Sequence, residues 1–123
     1  MPAGKPTLTL MNPILAVDDI EASVAYYQEK LGFDKTWLWG EPIVRAGVAR
    51  NGYELQLDGS GTSPAGLSVV YFHMDNLADY YESCIQNDAI IESKLVEQPF
   101  GVRDFRVLDL SGNKLGFGEA IDG

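Results

Sequence analysis

Apolar residues recur at helical spacing in two stretches of the chain that start 57 residues apart. The first stretch has apolar positions at intervals of four, three and four residues, which form one face of a helix: Ile20, Val24, Tyr27 and Leu31. We therefore predict a helix over about 19–31. Asp18 is expected to cap its N-terminus with Glu21 as the capping-box partner, and Gly32 is expected to end it.

The second stretch repeats this arrangement, because Met74-Asp75 stands where Val17-Asp18 precedes the first helix. Its apolar face is predicted to consist of Leu77, Tyr81, Cys84 and Ile85. Asp75 is expected to be the cap. Since Cys84 lies on the apolar stripe, we interpret it as a small buried hydrophobe. One cysteine and one histidine exclude an intramolecular disulfide and a structural zinc site with four Cys or His ligands.

Short stretches of strand character surround each predicted helix. They cover 14–17, 33–39, 43–50 and 53–57 in the first half and 67–73, 90–96, 104–108 and 114–119 in the second. Asn51-Gly52 between two of them indicates a hairpin. Each half therefore has the order βαβββ, which predicts an α+β fold. We expect one domain, 1–123, with modules at about 8–58 and 67–120 and a Gly- and Ser-rich connector at 59–66.

Alternation within the strands assigns an apolar and a polar face to each predicted sheet. The apolar positions are Tyr53, Leu55 and Leu57 in the first half and Phe105, Val107, Leu115 and Phe117 in the second. With one helix per half as cover, the helix should pack on the apolar face. The polar faces are left concave and open, so a ligand is expected there.

The composition narrows the possible partners. Nine Lys and Arg residues against 18 Asp and Glu residues give a net charge of −9, which disfavours nucleic acid and anionic membranes. Residues 1–61 carry a net charge of −3 and residues 62–123 carry a net charge of −6. The second module is therefore expected to supply most of the negatively charged wall of a ligand-binding groove, with Asp104 as the first candidate. No apolar run approaches a membrane span, and no secretory signal is recognised at the N-terminus. We therefore expect a cytoplasmic protein.

Two segments of the chain resemble the vicinal-oxygen-chelate superfamily, which contains glyoxalase I, extradiol dioxygenases and the bleomycin and fosfomycin resistance proteins. They are PILAVDDIEASVAYYQEKLGF at 13–33 and FGVRDFRVLDLSGNKLGFGE at 100–119. Within the second, Asp109-Leu-Ser-Gly-Asn113 resembles the turn Asp-Pro-Asp-Gly-Asn of the family. The resemblance implies two βαβββ modules whose mixed sheets form a concave groove. It does not decide the chemistry, because functions in this superfamily diverge.

Metal-dependent members of the superfamily hold a divalent ion with ligands from four strands. The resemblance places Asn12, Glu54, Val69 and Gly116 at those positions, and only Glu54 is a competent ligand. His73 shares the strand face of Val69, but it lies about 13 Å further along an extended strand. We therefore expect no metal and no other cofactor.

The resemblance is greatest to bleomycin resistance proteins. It implies a metal-free, non-catalytic homodimer, with elements exchanged between subunits, that sequesters a drug in a groove at the subunit boundary. We accordingly predict metal-independent binding of a cationic or aromatic small molecule, of which a bleomycin-class drug is one candidate. Two alternatives stay open: a metal-dependent lyase or isomerase of the glyoxalase type, favoured by Glu54 and the fold, and a binder of an unrelated metabolite.

The predicted ligand-binding residues are Trp37, Trp39, Glu54, Tyr71, His73, Phe100, Asp104 and Arg106. The two tryptophans share one strand face, which suits stacking on a flat ring. Packing in the core or at a dimer interface explains that pair equally well. The other residues follow from strand parity on the polar faces, with Phe100 at the lip of the groove.

Overall fold

The computed structural model describes residues 4–121, which form two sheets of four strands, each with one helix. The first half contains β1 (Ile14–Ala16), α1 (Ile20–Glu29), β2 (Asp34–Trp39), β3 (Arg45–Arg50) and β4 (Tyr53–Asp58). The second half contains β5 (Val69–His73), α2 (Leu77–Gln86), β6 (Ile90–Glu97), β7 (Val102–Leu108) and β8 (Lys114–Ala120). Neither helix has the length and the apolar character that a membrane span requires.

The two sheets have the same topology. Their strand orders are β1-β4-β3-β2 and β5-β8-β7-β6, with β1 parallel to β4 and β5 parallel to β8. All other neighbours are antiparallel. α1 begins at Ile20 and α2 at Leu77, which preserves the predicted offset of 57 residues. The predicted α+β fold of two βαβββ modules is confirmed.

The caps of both helices differ from the prediction. Asp19, not Asp18, caps α1, because its extended backbone directs the side chain to accept a hydrogen bond from the Ala22 amide at 3.1 Å. α2 has Asn76 rather than Asp75 at the cap, in the left-handed region at φ 57° and without a side-chain capping bond. The Asn76 amide instead donates to Glu119 Oε2 on β8. A tertiary contact thus holds the start of α2, and local sequence does not encode it.

The predicted core positions are buried, except that Tyr53 on β4 and Ile85 on α2 are exposed and Tyr81 on α2 is only partly buried. Tyr53 is 77% exposed, because it is the first residue of β4 and directly follows the hairpin turn. On α2, Ile85 is exposed, while Tyr80 is buried together with Leu77 and Cys84. The burial of Cys84 is confirmed.

Each module sends a tyrosine from its helix into the other module. The Tyr26 hydroxyl donates to the Leu108 carbonyl at 2.7 Å and accepts from the Ile90 amide at 2.9 Å. The Tyr80 hydroxyl donates to the Leu31 carbonyl at 2.6 Å. Burial raises the pKa of both tyrosines. The hydroxyls therefore stay protonated and keep their donor role at neutral pH.

The turn between β7 and β8 carries a buried polar network. The Asp109 carboxylate accepts hydrogen bonds from the Ser111 and Asn113 amides, the Asn113 side-chain amide and the Tyr27 hydroxyl, all at 2.9 Å. Asn113 also donates to the Ala16 carbonyl and accepts from the Ser68 amide. These bonds connect the turn to β1, to α1 and to the segment before β5. We refer to this set as the Asp109–Asn113 network.

The network should contribute strongly to stability. Asn113→Ala leaves the Asp109 carboxylate, the Ala16 carbonyl and the Ser68 amide each without one buried partner. We expect a loss of about 2–4 kcal/mol in the free energy of unfolding, measured by urea denaturation. Ser60→Ala, in an exposed turn, is the control and should change it by less than about 0.5 kcal/mol. An Asn113→Ala protein as stable as this control would contradict the prediction.

Candidate functional site

The polar face of the second sheet is organised around Tyr71. The Tyr71 ring packs against the neighbouring strand β8. It lies so close that a Cβ atom added to Gly116 would be only 2.8 Å from the nearest ring carbon. A Cβ on Gly118 would collide with the Tyr71 hydroxyl. Two glycines on β8 therefore make room for one aromatic ring on β5, and the ring remains 44% exposed on its outer side.

Hydrogen bonds hold this ring in position. The Tyr71 hydroxyl donates to Asp104 Oδ2 at 3.1 Å, and Gln98 Nε2 donates to Asp104 Oδ1 at 2.9 Å. Burial and the Asp104 carboxylate raise the pKa of Tyr71, so its hydroxyl is a donor at neutral pH. The His73 ring meets Tyr71 edge to face with 5.3 Å between centroids. The result is a fixed aromatic platform on the sheet.

A small depression of about 190 Å³ lies beside the platform. It brings together four of the predicted residues, Tyr71, Phe100, Asp104 and Arg106. Ser93 and Gln98 also line it. Sequence reasoning missed these two because bulges interrupt the alternation of β6 around Ser93, and because Gln98 lies beyond the end of that strand.

A larger crevice of about 1260 Å³ separates the two modules. Tyr71, His73 and Glu54 contribute to its walls, so Tyr71 borders both cavities. Its aromatic residues are Phe33, Tyr53, Tyr71, Phe72, Tyr80 and Phe117. The stacked pair Phe72 and Phe117 has a centroid distance of 4.7 Å. Apart from Tyr71, which strand parity placed on the polar face, no sequence pattern distinguished these rings from ordinary core residues.

The two tryptophans of β2 lie apart from both cavities in this chain. Trp37 and Trp39 line neither cavity. A Cβ on Gly47 would collide with Trp37, whose ring therefore covers β3, while Trp39 is 65% exposed. Both tryptophans share the predicted face, because the bulge in β2 lies before Trp37.

The residues at the family's metal positions do not fit a divalent ion. Glu54 Oε1 accepts a hydrogen bond from the Thr36 hydroxyl at 2.6 Å, and the Asn12 side chain donates to the Glu54 carbonyl. Val69 and Gly116 offer no side-chain donor atoms, and a hard dication needs several oxygen or nitrogen ligands. Among residues 4–121, no three His, Cys, Asp or Glu side chains are grouped so that they could hold a metal.

Residues 9–34, which include β1 and α1, match the family described as bleomycin resistance protein-like N-terminal. No curated protein sequence matches the chain significantly.

Solved structures resemble the chain over almost its whole length. TioX from Micromonospora sp. ML1 superposes with a TM-score of 0.80 at 21% identity and covers 92% of this chain and 99% of its own. TnmS3, an antibiotic binding protein from Streptomyces sp. CB03234, superposes with a TM-score of 0.80 at 21% identity. The match covers 95% of this chain and 99% of TnmS3. A glyoxalase/bleomycin resistance protein/dioxygenase from Nocardioides superposes with a TM-score of 0.73 at 21% identity. The match covers 99% of this chain and 88% of the Nocardioides protein. The chain thus has the two-module glyoxalase/bleomycin resistance fold, and its residues 9–34 match the family described as bleomycin resistance protein-like N-terminal.

Proposed function

We propose that this protein is a cytoplasmic, metal-independent homodimer that binds and sequesters a small aromatic molecule. The groove lies on the polar faces of the sheets and is completed between two subunits. The Tyr71 platform is the observation that carries this proposal. The likeness to TnmS3, an antibiotic binding protein, supports it and makes an antibiotic one candidate ligand.

The platform is suited to stacking. Gly116 and Gly118 let the Tyr71 ring pack closely against β8, and Asp104 fixes its hydroxyl. A ring that is already held in place loses little side-chain entropy when a planar ligand stacks on it. Phe100, 71% exposed, adds apolar surface at the edge of the depression.

One subunit alone does not enclose a drug-sized ligand at this site. The depression of about 190 Å³ is smaller than the roughly 300–1,000 Å³ of typical ligand pockets. The polar faces also expose large apolar side chains outside the depression, namely Ile14, Trp39, Val69 and Val96. A second copy that covers these side chains would enlarge the groove and remove apolar surface from water. In such a groove, Trp37 and Trp39 of one subunit can form the wall opposite the Tyr71 platform of the other.

Removing or displacing the platform should weaken binding of a planar probe such as acridone. Tyr71→Ala deletes the ring, and Gly118→Ala forces the same ring off β8 without deleting it. For both variants we expect the Kd, measured by isothermal titration calorimetry, to rise about tenfold, as loss of a stacking contact predicts. Leu110→Ala is the control, since Leu110 is exposed and lines neither cavity. Wild-type affinity for acridone in both variants would contradict the proposed role of the Tyr71 platform in ligand binding.

The proposed dimer can be tested at Val69, which is 71% exposed on the polar face at the start of the edge strand β5. Light scattering should give the wild type twice the chain mass of 13.5 kDa. Val69→Asp places a charge in the apolar contact and should yield a monomer with weakened ligand binding. Leu110→Asp introduces the same charge elsewhere and should remain a dimer. A monomeric wild type that binds ligand fully would exclude the shared groove.

Metal independence predicts that chelation has no effect. Protein purified without chelators should contain substoichiometric divalent metal by mass spectrometry, and dialysis against EDTA should leave the Kd for acridone unchanged. These results follow from the poor ligand set around Glu54. One tightly held transition metal per chain, lost together with binding on dialysis, would support the glyoxalase-type alternative instead.

A further inference from the structure

We infer that the ligand at the Tyr71 platform is an uncharged planar molecule rather than a cationic drug. This inference rests on the proposed function and specifies the ligand class of the same site. It departs from the expectation that the acidity of the second module forms a negative wall for a cation. The distribution of charge on the two polar faces is the reason.

The polar face of the second sheet carries as many cations as carboxylates. Glu92 accepts a hydrogen bond from Arg106 at 3.0 Å and lies 3.7 Å from the Lys114 ammonium. Asp104 is the other carboxylate on this face. Two negative and two positive side chains therefore surround the platform, and their fields largely cancel for a ligand above the ring.

Asp104 is also occupied by its neighbours. One of its oxygens accepts from Tyr71 and the other from Gln98. A ligand cation that took over these bonds would release the hydroxyl that fixes the platform. Asp104, which the sequence predicted to attract a cation, therefore positions the Tyr71 ring instead.

Two carboxylates on the polar face of the first sheet, those of Glu54 and Asp58, also accept hydrogen bonds. Glu54 accepts from Thr36. Asp58 accepts from the Ser60 amide, and this bond, with a smaller contribution from nearby Arg45, lowers the pKa of Asp58. A ligand cation that binds Glu54 or Asp58 would therefore compete with hydrogen bonds that these carboxylates already accept, and burial of a charge without a partner is costly.

Asp104 is the only carboxylate of the second module that lines the depression among the described residues. Besides Glu92, the other described carboxylates of this module are Asp75, Asp79, Glu82, Asp88, Glu97, Asp109 and Glu119. Asp109 accepts hydrogen bonds within the Asp109–Asn113 network. Glu119 accepts a hydrogen bond from the Asn76 amide and lies 3.9 Å from Arg103 Nε. Asp75 and Asp79 line the crevice instead of the depression. Exposed charges act mainly over distances shorter than about 8 Å at physiological ionic strength, so the net charge of −9 does not by itself give the platform a preference for cations.

Two tricyclic dyes of similar size test this inference. Acridone is uncharged at neutral pH, and 9-aminoacridine is a cation. The measured quantity is the fluorescence-detected binding to wild-type protein that is lost in Tyr71→Ala. We expect acridone to bind at least about tenfold more tightly than 9-aminoacridine, with a Kd that changes less than about twofold between low and high salt.

Charge variants on the platform sharpen the test. Arg106→Gln removes one cation and gives the face an excess negative charge, so 9-aminoacridine should bind about fivefold more tightly than to the wild type, and only at low salt. Glu92→Gln removes one carboxylate and should weaken 9-aminoacridine binding. The two variants form a matched pair, because each breaks the same 3.0 Å contact with opposite charge.

The possible outcomes separate this inference from the proposed function. Preference for acridone, together with opposite shifts in the two variants, supports an uncharged ligand. Tyr71-dependent binding of 9-aminoacridine that equals or exceeds that of acridone, and that weakens with salt in the wild type, overturns the ligand class but preserves the binding function. Absence of Tyr71-dependent binding for both dyes contradicts the proposed function itself.

Discussion

The Asp109–Asn113 network is the interaction on which the arrangement of this protein depends. One buried carboxylate accepts four hydrogen bonds, and one buried amide connects it to two further segments. Buried polar groups of this kind are stabilising only when every partner is present. The network therefore fixes the turn and, through Ala16 and Tyr27, the position of the first module against the second.

The same network determines where the binding platform forms. The Asn113 side chain accepts from the Ser68 amide, and the Lys114 amide donates to the Ser68 carbonyl. β5 and β8 therefore start in register, which places Tyr71 opposite Gly116. A shift by one residue would move the ring to the core face and place a different residue on the polar face. The site thus inherits its geometry from a turn at the far end of the strand.

Charge in this protein has different uses in different places. The overall acidity gives the chain its net charge of −9, while the platform is almost neutral because Arg106 and Lys114 balance Glu92 and Asp104. Asp104 shows how a carboxylate with an apparent binding role can instead position an aromatic side chain. Composition describes the long-range field of a protein, whereas the affinity of a site follows from the groups within a few ångströms.

The sequence by itself determined the two-module fold, the polar and apolar faces and the aromatic and charged residues on them. These features depend on hydrophobic periodicity, which is local, so the helices, the eight strands and the position of Tyr71 followed from it. Tertiary structure decided what depends on long-range contacts. These are the start of α2 at Asn76, the grouping of Tyr71 with Gln98 and Asp104, and the placement of Trp37 and Trp39 on a separate face. Such contacts join residues far apart in the chain, and only the packed fold brings their side chains to within hydrogen-bonding distance.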